Sequence, residues 1–530
     1  MPILETKDYK SFVVGDKTFT DYKFANHCLP GDEVVIEETG CYLVKRARYG
    51  YIVGTLELTS KYLYGHSSKG SPLYLFTPYD RSYPQMRVGC SEKDNSKNLV
   101  VLIEFLEWNK SDHLPRGNLI KTLGPTGVYT VERDALKWLY GSPSLKKEKD
   151  LALSMTQLSN RPFVEGISVN IDPPGCKDID DTISMKYIQS GLWDFTITIA
   201  DVAEWVAPLS ELDLQAKKRG QTLYQNGVAV VPMFPAALSE GEASLLPSTT
   251  RLGVSLLFRW NADTQTLTNL EWKETQIKNH MSATYESILE TRPFGFSVEG
   301  LKNLCSHLKG SATEDPHEWI EELMLFYNKE AAKLLMKHSV GLLRAQSAAD
   351  EKKVESWIKM SPELRFMAYE AASYKPMESQ ETHASLRGLY CHASSPLRRY
   401  ADLVNQRCIK AILRKELPPS VDLDLHQQLN QLQKKAKKHD RDYLFIEQIY
   451  LYKYEPHEHH ALVLTVLENK TKVYVPAWKR ILSVKDTSMK PGDEVILEYY
   501  SDMKKVGWKE RMVFKMRPYS LAGLKQEKCD

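Results

Sequence analysis

Long apolar runs are missing from this 530-residue sequence. No stretch approaches the roughly 18–20 apolar residues that a membrane-spanning helix needs. Cysteine is scarce: there are eight, scattered, with no Cys-x-x-Cys pair. That argues against a disulfide scaffold and against a zinc ribbon. The opening MPILETKDYK carries acids and bases where a signal peptide needs an apolar core. There is no excess of one charge either, with 70 Lys plus Arg against 68 Asp plus Glu, a net of +2. Repeats and low-complexity tracts are also lacking. What is present is 42% apolar and 10% aromatic residues, enough for several packed cores and too much for a disordered chain. At roughly 100–200 residues per domain, three to five domains are expected. The expectation is a soluble, cytoplasmic, multidomain protein with no membrane association.

The neutral sum hides local patches. Residues 391–441 hold 11 basic and 5 acidic residues, a net of +6, and residues 456–530 a net of +4. One lysine cluster is ordinarily a solvated helix face. Two consecutive basic regions also suit a polyanion.

Short strands with tight turns fill residues 9–58, among them Phe12-Val13-Val14 before Gly15-Asp16. Residues 72–135 repeat the style, with the apolar run Leu99 to Phe105. Each predicts a small β-barrel. Lys146, Lys147 and Lys149 mark a helix end or linker. From Gly166 the pattern changes. Ile167, Val169 and Ile171 alternate with polar residues, as do Trp193, Phe195, Ile197 and Ile199, which predicts strands. Helical spacing covers Trp319 to Met336, then residues 396–415 and 421–453, the last two separated by Pro418-Pro419. Residues 460–515 return to short strands. The predicted fold class is α+β multidomain, a central catalytic domain flanked by small barrels. His457, His459 and His460 are expected to form a solvated linker.

Four aspartates fall within ten residues: Asp172, Asp178, Asp180 and Asp181. The strand Ile167–Ile171 delivers Asp172, Pro173-Pro174-Gly175 turns the chain, and a loop presents the others. Carboxylates brought together repel unless a cation lies between them. Magnesium, which takes oxygen ligands, is the natural occupant and suits phosphoryl chemistry. An acidic surface turn and a calcium loop are the alternatives, although the EF-hand pattern is absent.

A second constellation runs from Tyr390 to Asp402. Ser394-Ser395-Pro396 reads as a helix start, which places Arg398 and Arg399 in the first turns. Arginines at a helix N-terminus suit phosphate, and paired arginines also occur as plain surface charge.

Together the two segments resemble the signatures of the RNase II / RNase R family of exoribonucleases, to which the eukaryotic exosome nuclease also belongs. The family's acidic motif has the spacing seen at Asp172, Asp178, Asp180 and Asp181. Its Tyr-x-His-x-Thr-Ser-Pro-Ile-Arg-Arg-Tyr-x-Asp block is matched from Tyr390 to Asp402, with Ser394 for Thr and Leu397 for Ile. Other blocks follow in order: Ile199 to Ala203, Thr222-Leu223-Tyr224, Ser244 to Pro247, Arg251-Leu252, Thr284-Tyr285-Glu286 and Glu321 to Met324.

This resemblance implies cold-shock-like OB folds at 1–70 and 71–140 and a linker at 141–164. An RNB catalytic domain at 165–455, an S1-type OB fold at 456–520 and a tail at 521–530 would follow. It implies a monomeric 3′-to-5′ exoribonuclease that degrades single-stranded RNA to nucleoside 5′-monophosphates. All four aspartates would bind Mg2+, with Asp180, Asp181 and Arg398 catalytic. Tyr224, Tyr285, Glu322, Arg398 and Arg399 would bind RNA: Tyr285 stacking on the 3′-terminal base region, Tyr224 helping to tell RNA from DNA, and Glu322 or Glu321 touching a ribose hydroxyl. Two positions depart from the family. Asp440-Arg441 stands where some members have Glu-Arg, and Gln406 where His is common. The competing reading is a catalytically silent RNA-binding or adaptor protein that keeps the fold.

Overall fold

The computed structural model describes residues 1–141, 143, 161–290, 295–453 and 455–519. The expected linker, for the most part, and the whole expected tail at 521–530 lie outside the described residues, as do Lys146, Lys147 and Lys149. The chain divides into two compact units. One comprises Met1–Pro143 and Lys438–Asp530, the other Ser144–Lys437.

In the first unit, residues 4–45 form a three-stranded sheet (Leu4–Thr6, Phe12–Val14, Lys17–Phe19) and a hairpin (Glu33–Glu37 with Gly40–Lys45). Leu4, Phe12, Val14, Cys28, Val34 and Cys41 make their core. A closed five-stranded barrel follows, built from Ile52–Leu56, Leu73–Pro78, Met86–Gly89, Leu99–Glu107 and Arg116–Pro125. Ile52–Leu56 was expected to fall before a boundary at residue 70. Instead it pairs with both Leu99–Ile103 and Phe76–Pro78, and every one of its residues is buried. Gly54 is needed there, because a Cβ would stand 2.4 Å from the Thr77 carbonyl oxygen.

The remaining sheet of this unit has five strands between His457 and Pro518. His457, His459 and His460 lie inside its strand His457–Leu467 and pair with Tyr499, Leu497 and Ile496. The solvated-linker expectation is therefore corrected. Aromatic neighbours hold the polar residues in the ladder: His457 stacks on Tyr499, and His459 packs edge-on to Trp478. The helix Tyr129–Tyr140 joins this sheet through a buried ion pair, Arg511 Nη1 lying 2.5 Å from Glu132 Oε1.

The second unit is built on a six-stranded sheet. Its order is Thr266–Lys278, Thr250–Asn261, Leu192–Ala200, Asp181–Gln189, Ile167–Ile171, Met281–Ala283. All pairs are antiparallel except the last. The alternation read from the sequence now has a physical meaning. Val169, Ile171, Ile183, Phe195, Ile197 and Ile199 form one core with Trp319, Leu323, Tyr327 and Ala331 of the helix Pro316–Lys337. The intervening residues bury hydroxyls instead, which bond one another: Ser168 to Ser184 at 2.6 Å, and Ser255 to Thr198 at 2.8 Å and Thr275 at 2.7 Å.

The helix expected to begin at Ser394-Pro396 begins at Tyr400 and runs to Arg414. Residues 398–400 are engaged elsewhere. The Arg398 carbonyl accepts from the Thr222 amide at 3.0 Å, and the Tyr400 amide donates to Gly220 at 2.9 Å. A backbone bridged to the segment 220–222 cannot also coil, so Arg398 and Arg399 precede the helix.

Candidate functional site: an acidic centre facing Arg398

Strand order brings the acidic loop together. Val169 pairs with Ile183 and Ile171 with Ala283, so Asp172, Asp181 and the turn at Thr284-Tyr285 fall at one end of three adjacent strands. The Asp172 amide donates to the Ala283 carbonyl at 3.0 Å. Gly175 then takes a φ of +80°, which only glycine adopts freely. Ile179, 1% exposed, pins the loop between Asp178 and Asp180. It packs in the same core as Leu397, the residue before Arg398. Ser244 closes the loop, accepting from the Ile179 amide at 3.0 Å and donating to the Lys177 carbonyl at 2.7 Å.

Asp180 is 4% exposed. Its carboxylate accepts from the Leu397 amide at 2.9 Å and from Arg398 Nε at 3.2 Å. Burial pushes it up to about 7, against the pull of Arg398 and the Leu397 amide. Burial, then the charges of Asp172 and Asp180, raise Asp181 well above the carboxylate range. Asp172 is raised by burial as well, although the Asn170 amide, 2.9 Å away, holds it down. Asp178 accepts from the Tyr224 hydroxyl and from Cys176 Sγ. The four carboxylates thus share one field, and burial pushes three of them toward neutrality against the pull of Arg398.

Hard oxygen donors under mutual repulsion fit a divalent ion. Their oxygens are nevertheless spread. Among the described residues, three acidic groups come within 4.8 Å of one another at Asp201, Glu204 and Glu274 instead. Cations already occupy that second cluster. Arg161 and Lys410 pair with Asp201 at 2.7 Å, and Arg414 meets Glu274 at 2.6 Å. Burial would raise Glu204, but Lys410, Arg414 and Arg161 outweigh it and hold it at about 2. That group is an internal ion network that ties the start of the described segment to the helix Tyr400–Arg414.

The two arginines differ. The Arg398 side chain is 47% exposed, so its guanidinium reaches solvent beside the acidic loop. Arg399 is spent on Asp402, with bonds of 2.9 and 2.8 Å to a carboxylate that is wholly buried. Tyr285 stacks on the His317 ring at 3.8 Å. Burial, then the charges of Asp172 and Asp181, push its hydroxyl up to about 12. Glu322 stands half-buried on Pro316–Lys337, and Glu321 is exposed. No hydrogen bond or ion pair joins Glu322 to the aspartates among the described residues.

Sequence reasoning missed the residues that hold the second motif. Asp402 also accepts from the Ser395 amide at 2.7 Å, so it fixes both ends of the Arg398 turn. Asn328 receives the Ala393 amide at 2.8 Å and donates to Ser394 at 3.0 Å. Gln406 bridges Ala203 and Ala200 at 3.0 and 2.7 Å. Asp402 was visible inside the quoted motif; Asn328 left no local signal.

Sheet, helices and acidic centre define an RNB-type domain. The RNB domain model matches residues 161–292 and 294–415, and the Dis3-like cold-shock domain 2 model matches 73–141. The chain belongs to the RNB family. It is 24% identical to the mouse exosome complex exonuclease RRP44 over 451 residues, 68% of this chain and 47% of that protein. It is 28% identical to Helicobacter pylori ribonuclease R over 383 residues, 56% and 58% of the two chains. The chain thus spans about half the length of these curated relatives. Among solved structures, Mycoplasma genitalium RNase R in complex with ribose methylated single-stranded RNA aligns with a TM-score of 0.74, at 16% identity over 97% and 100% of the chains. Yeast Ssd1, described as a pseudonuclease, aligns with a TM-score of 0.68 at 16% identity, over 94% and 81%. At these identities the two structures establish the fold.

Proposed function

We propose that this protein is a 3′-to-5′ hydrolytic exoribonuclease that degrades single-stranded RNA to nucleoside 5′-monophosphates, with magnesium at Asp172, Asp178, Asp180 and Asp181. The observation that carries the reading is the Asp180–Arg398 contact, an acidic centre with an accessible guanidinium beside it. When bound, magnesium supplies Lewis acidity and an activated water. The chain does the rest. The aspartates hold the ion in a fixed frame. Arg398 faces the scissile phosphate and balances the charge that grows on it. Tyr285 stacks on a base near the 3′ end, while Tyr224 and Glu322 read ribose hydroxyls, which distinguish RNA from DNA. Arg399 supports Arg398 through Asp402. The protein acts as a cytoplasmic monomer in this reading.

The likeness to a pseudonuclease keeps a second reading in view, a silent RNA-binding protein. Retention of all four aspartates and Arg398 favours the enzyme. The test is 5′-labelled RNA with magnesium or with chelator, for the wild type and Asp180→Asn. Progressive shortening from the 3′ end, dependent on metal and on Asp180, supports the enzyme. Binding with no shortening under any divalent ion supports the silent protein.

A further inference from the structure

A short hairpin, Leu223–Gln225 with Val228–Val231, stands beside the acidic centre. Its build is stiff. The two-residue turn Asn226-Gly227 has φ values of +48° and +74°, the positive pair that such a turn needs. Leu223 and Gln225 are buried, so the alternation of the strand turns Tyr224 to the opposite face, where it is half-buried.

Two bonds run from this segment into the site. The Tyr224 hydroxyl donates to Asp178 Oδ2 at 2.5 Å. Two residues earlier, the Thr222 amide donates to the Arg398 carbonyl at 3.0 Å. Thr222 is itself fixed, its Oγ1 accepting from the Met233 amide at 2.9 Å. One rigid element therefore sets both a carboxylate of the acidic loop and the backbone of the arginine that faces the loop. The other Asp178 oxygen is held too, by Cys176 Sγ at 3.5 Å. Outer partners of this kind orient a metal-ligating carboxylate, and their removal commonly weakens metal binding or activity by roughly 10–100-fold.

The polarity of the Tyr224 bond limits what else the hydroxyl can do. A phenol carries one proton, and an ionised carboxylate only accepts. With that proton engaged by Asp178, the Tyr224 oxygen can meet a substrate only as an acceptor. The group it meets must bring a donor. A ribose brings its 2′-hydroxyl, whereas a deoxyribose has no donor at that carbon.

We propose that Tyr224 is a positioning residue that links the sugar to the metal site: it accepts a hydrogen bond from the ribose 2′-hydroxyl while donating one to Asp178. The inference rests on the exoribonuclease reading and adds to it the direction of each bond and the carboxylate through which Tyr224 acts. A donor on the phenol oxygen polarises the phenol and strengthens its bond to Asp178. RNA and DNA are then separated in the chemical step, and not in binding alone.

The test has two arms. In the first, the full chain is titrated with Mn2+ in the absence of RNA, and free ion is followed by electron paramagnetic resonance. Tyr224→Phe, which removes only the hydroxyl, should weaken the Asp180-dependent Mn2+ binding by at least about fivefold. In the second, single-turnover rates at saturating enzyme are measured on 5′-labelled strands that carry one altered sugar at successive positions from the 3′ end. At one position a 2′-amino sugar, which can donate, should be cut within about threefold of ribose. At that position 2′-fluoro and 2′-deoxy sugars, which cannot donate, should slow the step by at least about tenfold. Tyr224→Phe should shrink the ribose-to-fluoro ratio at least about threefold, with strand affinity unchanged. The comparison of amino with fluoro sugars uses the wild type, so it decides the direction of the bond even where the variant is unstable. A wild type that binds no Asp180-dependent Mn2+, or leaves RNA uncut, overturns the exoribonuclease reading and this inference with it. A wild type that does both overturns this inference alone if the amino sugar behaves like the fluoro sugar, or if folded Tyr224→Phe keeps its Mn2+ affinity or its ribose-to-fluoro ratio.

Discussion

Arg398 Nε lies 3.2 Å from the Asp180 carboxylate, across 218 residues of sequence. The contact is not an isolated ion pair. The Leu397 amide bonds the other Asp180 oxygen, and Leu397 and Ile179 share a core. The two loops are therefore clamped by backbone and apolar groups, and Arg398 remains reachable beside them. Opposite charges so placed can act on a phosphate and its metal together.

Asp180→Asn should separate binding from chemistry. The amide keeps the shape but removes the charge that orients the ion and Arg398. A loss of several kcal/mol of transition-state stabilisation corresponds to roughly 10²–10³-fold in rate. RNA affinity in gel-shift or anisotropy assays should change little. A variant that turns over RNA within threefold of wild type would refute the assignment of this loop.

The adjacent arginines should fail differently. Arg399→Met leaves Asp402 buried and unpaired, which costs about 3–5 kcal/mol. In a domain of this size that is a fall in Tm of roughly 10 °C. Arg398→Ala removes a half-exposed side chain and should move Tm by no more than about 3 °C. Its rate of RNA hydrolysis should drop at least 100-fold. Paired melting and rate measurements would decide. Equal loss of stability in both variants would remove the distinction between them.

Much of this site was legible in the sequence because its cues are local. The acidic loop sits within ten residues, and the period of two from Ile167 to Ile171 announces the strand that presents it. What escaped depends on distant pairing. Ser394-Ser395-Pro396 reads as a helix start, yet Thr222 and Gly220 claim the backbone around Arg399 and delay the helix to Tyr400. Ile52–Leu56 belongs to a barrel only because Leu99–Ile103 lies against it. The histidines near 459 look like loop residues until Tyr499 of the next strand and Trp478 of a connecting turn pack against them. Arg399 next to Arg398 suggests a shared task, and only burial of Asp402 separates their roles.

Tyr285→Ala should change where digestion stops. The ring lies in the field of Asp172 and Asp181 and stacks on His317, and the proposed function sets a terminal base against it. Stacking on an aromatic ring contributes about 1–3 kcal/mol per base. Without it, short products dissociate sooner, and the limit fragment on 5′-labelled RNA should lengthen by at least one nucleotide. The rate on long RNA should fall less than tenfold, because the remaining contacts still hold the strand. An unchanged limit fragment would place Tyr285 in packing alone.

Metal and pH should be linked through Asp180. Its folded-state value is raised to about 7 from an ordinary 3.8, and Asp172 and Asp181 are raised as well. Between these limits the folded state holds a proton that the unfolded chain has released. Stability therefore falls as pH rises from about 4 to about 7, and stays lowered above that range. Acid protects the metal-free site, the reverse of a salt-bridged carboxylate. Under the proposed reading, magnesium would reverse the penalty, because it would bind the ionised carboxylates and stabilise the folded state by mass action. The Tm gain from magnesium should thus be several degrees at pH 8 and small at pH 5. Asp180→Asn, which carries no charge at either pH, should melt above the metal-free wild type at pH 8 and lose most of the magnesium effect. Thermal melts with and without chelator at both pH values would show this. A magnesium effect of equal size at pH 5 and pH 8, and unchanged in Asp180→Asn, would mean that the ion binds elsewhere.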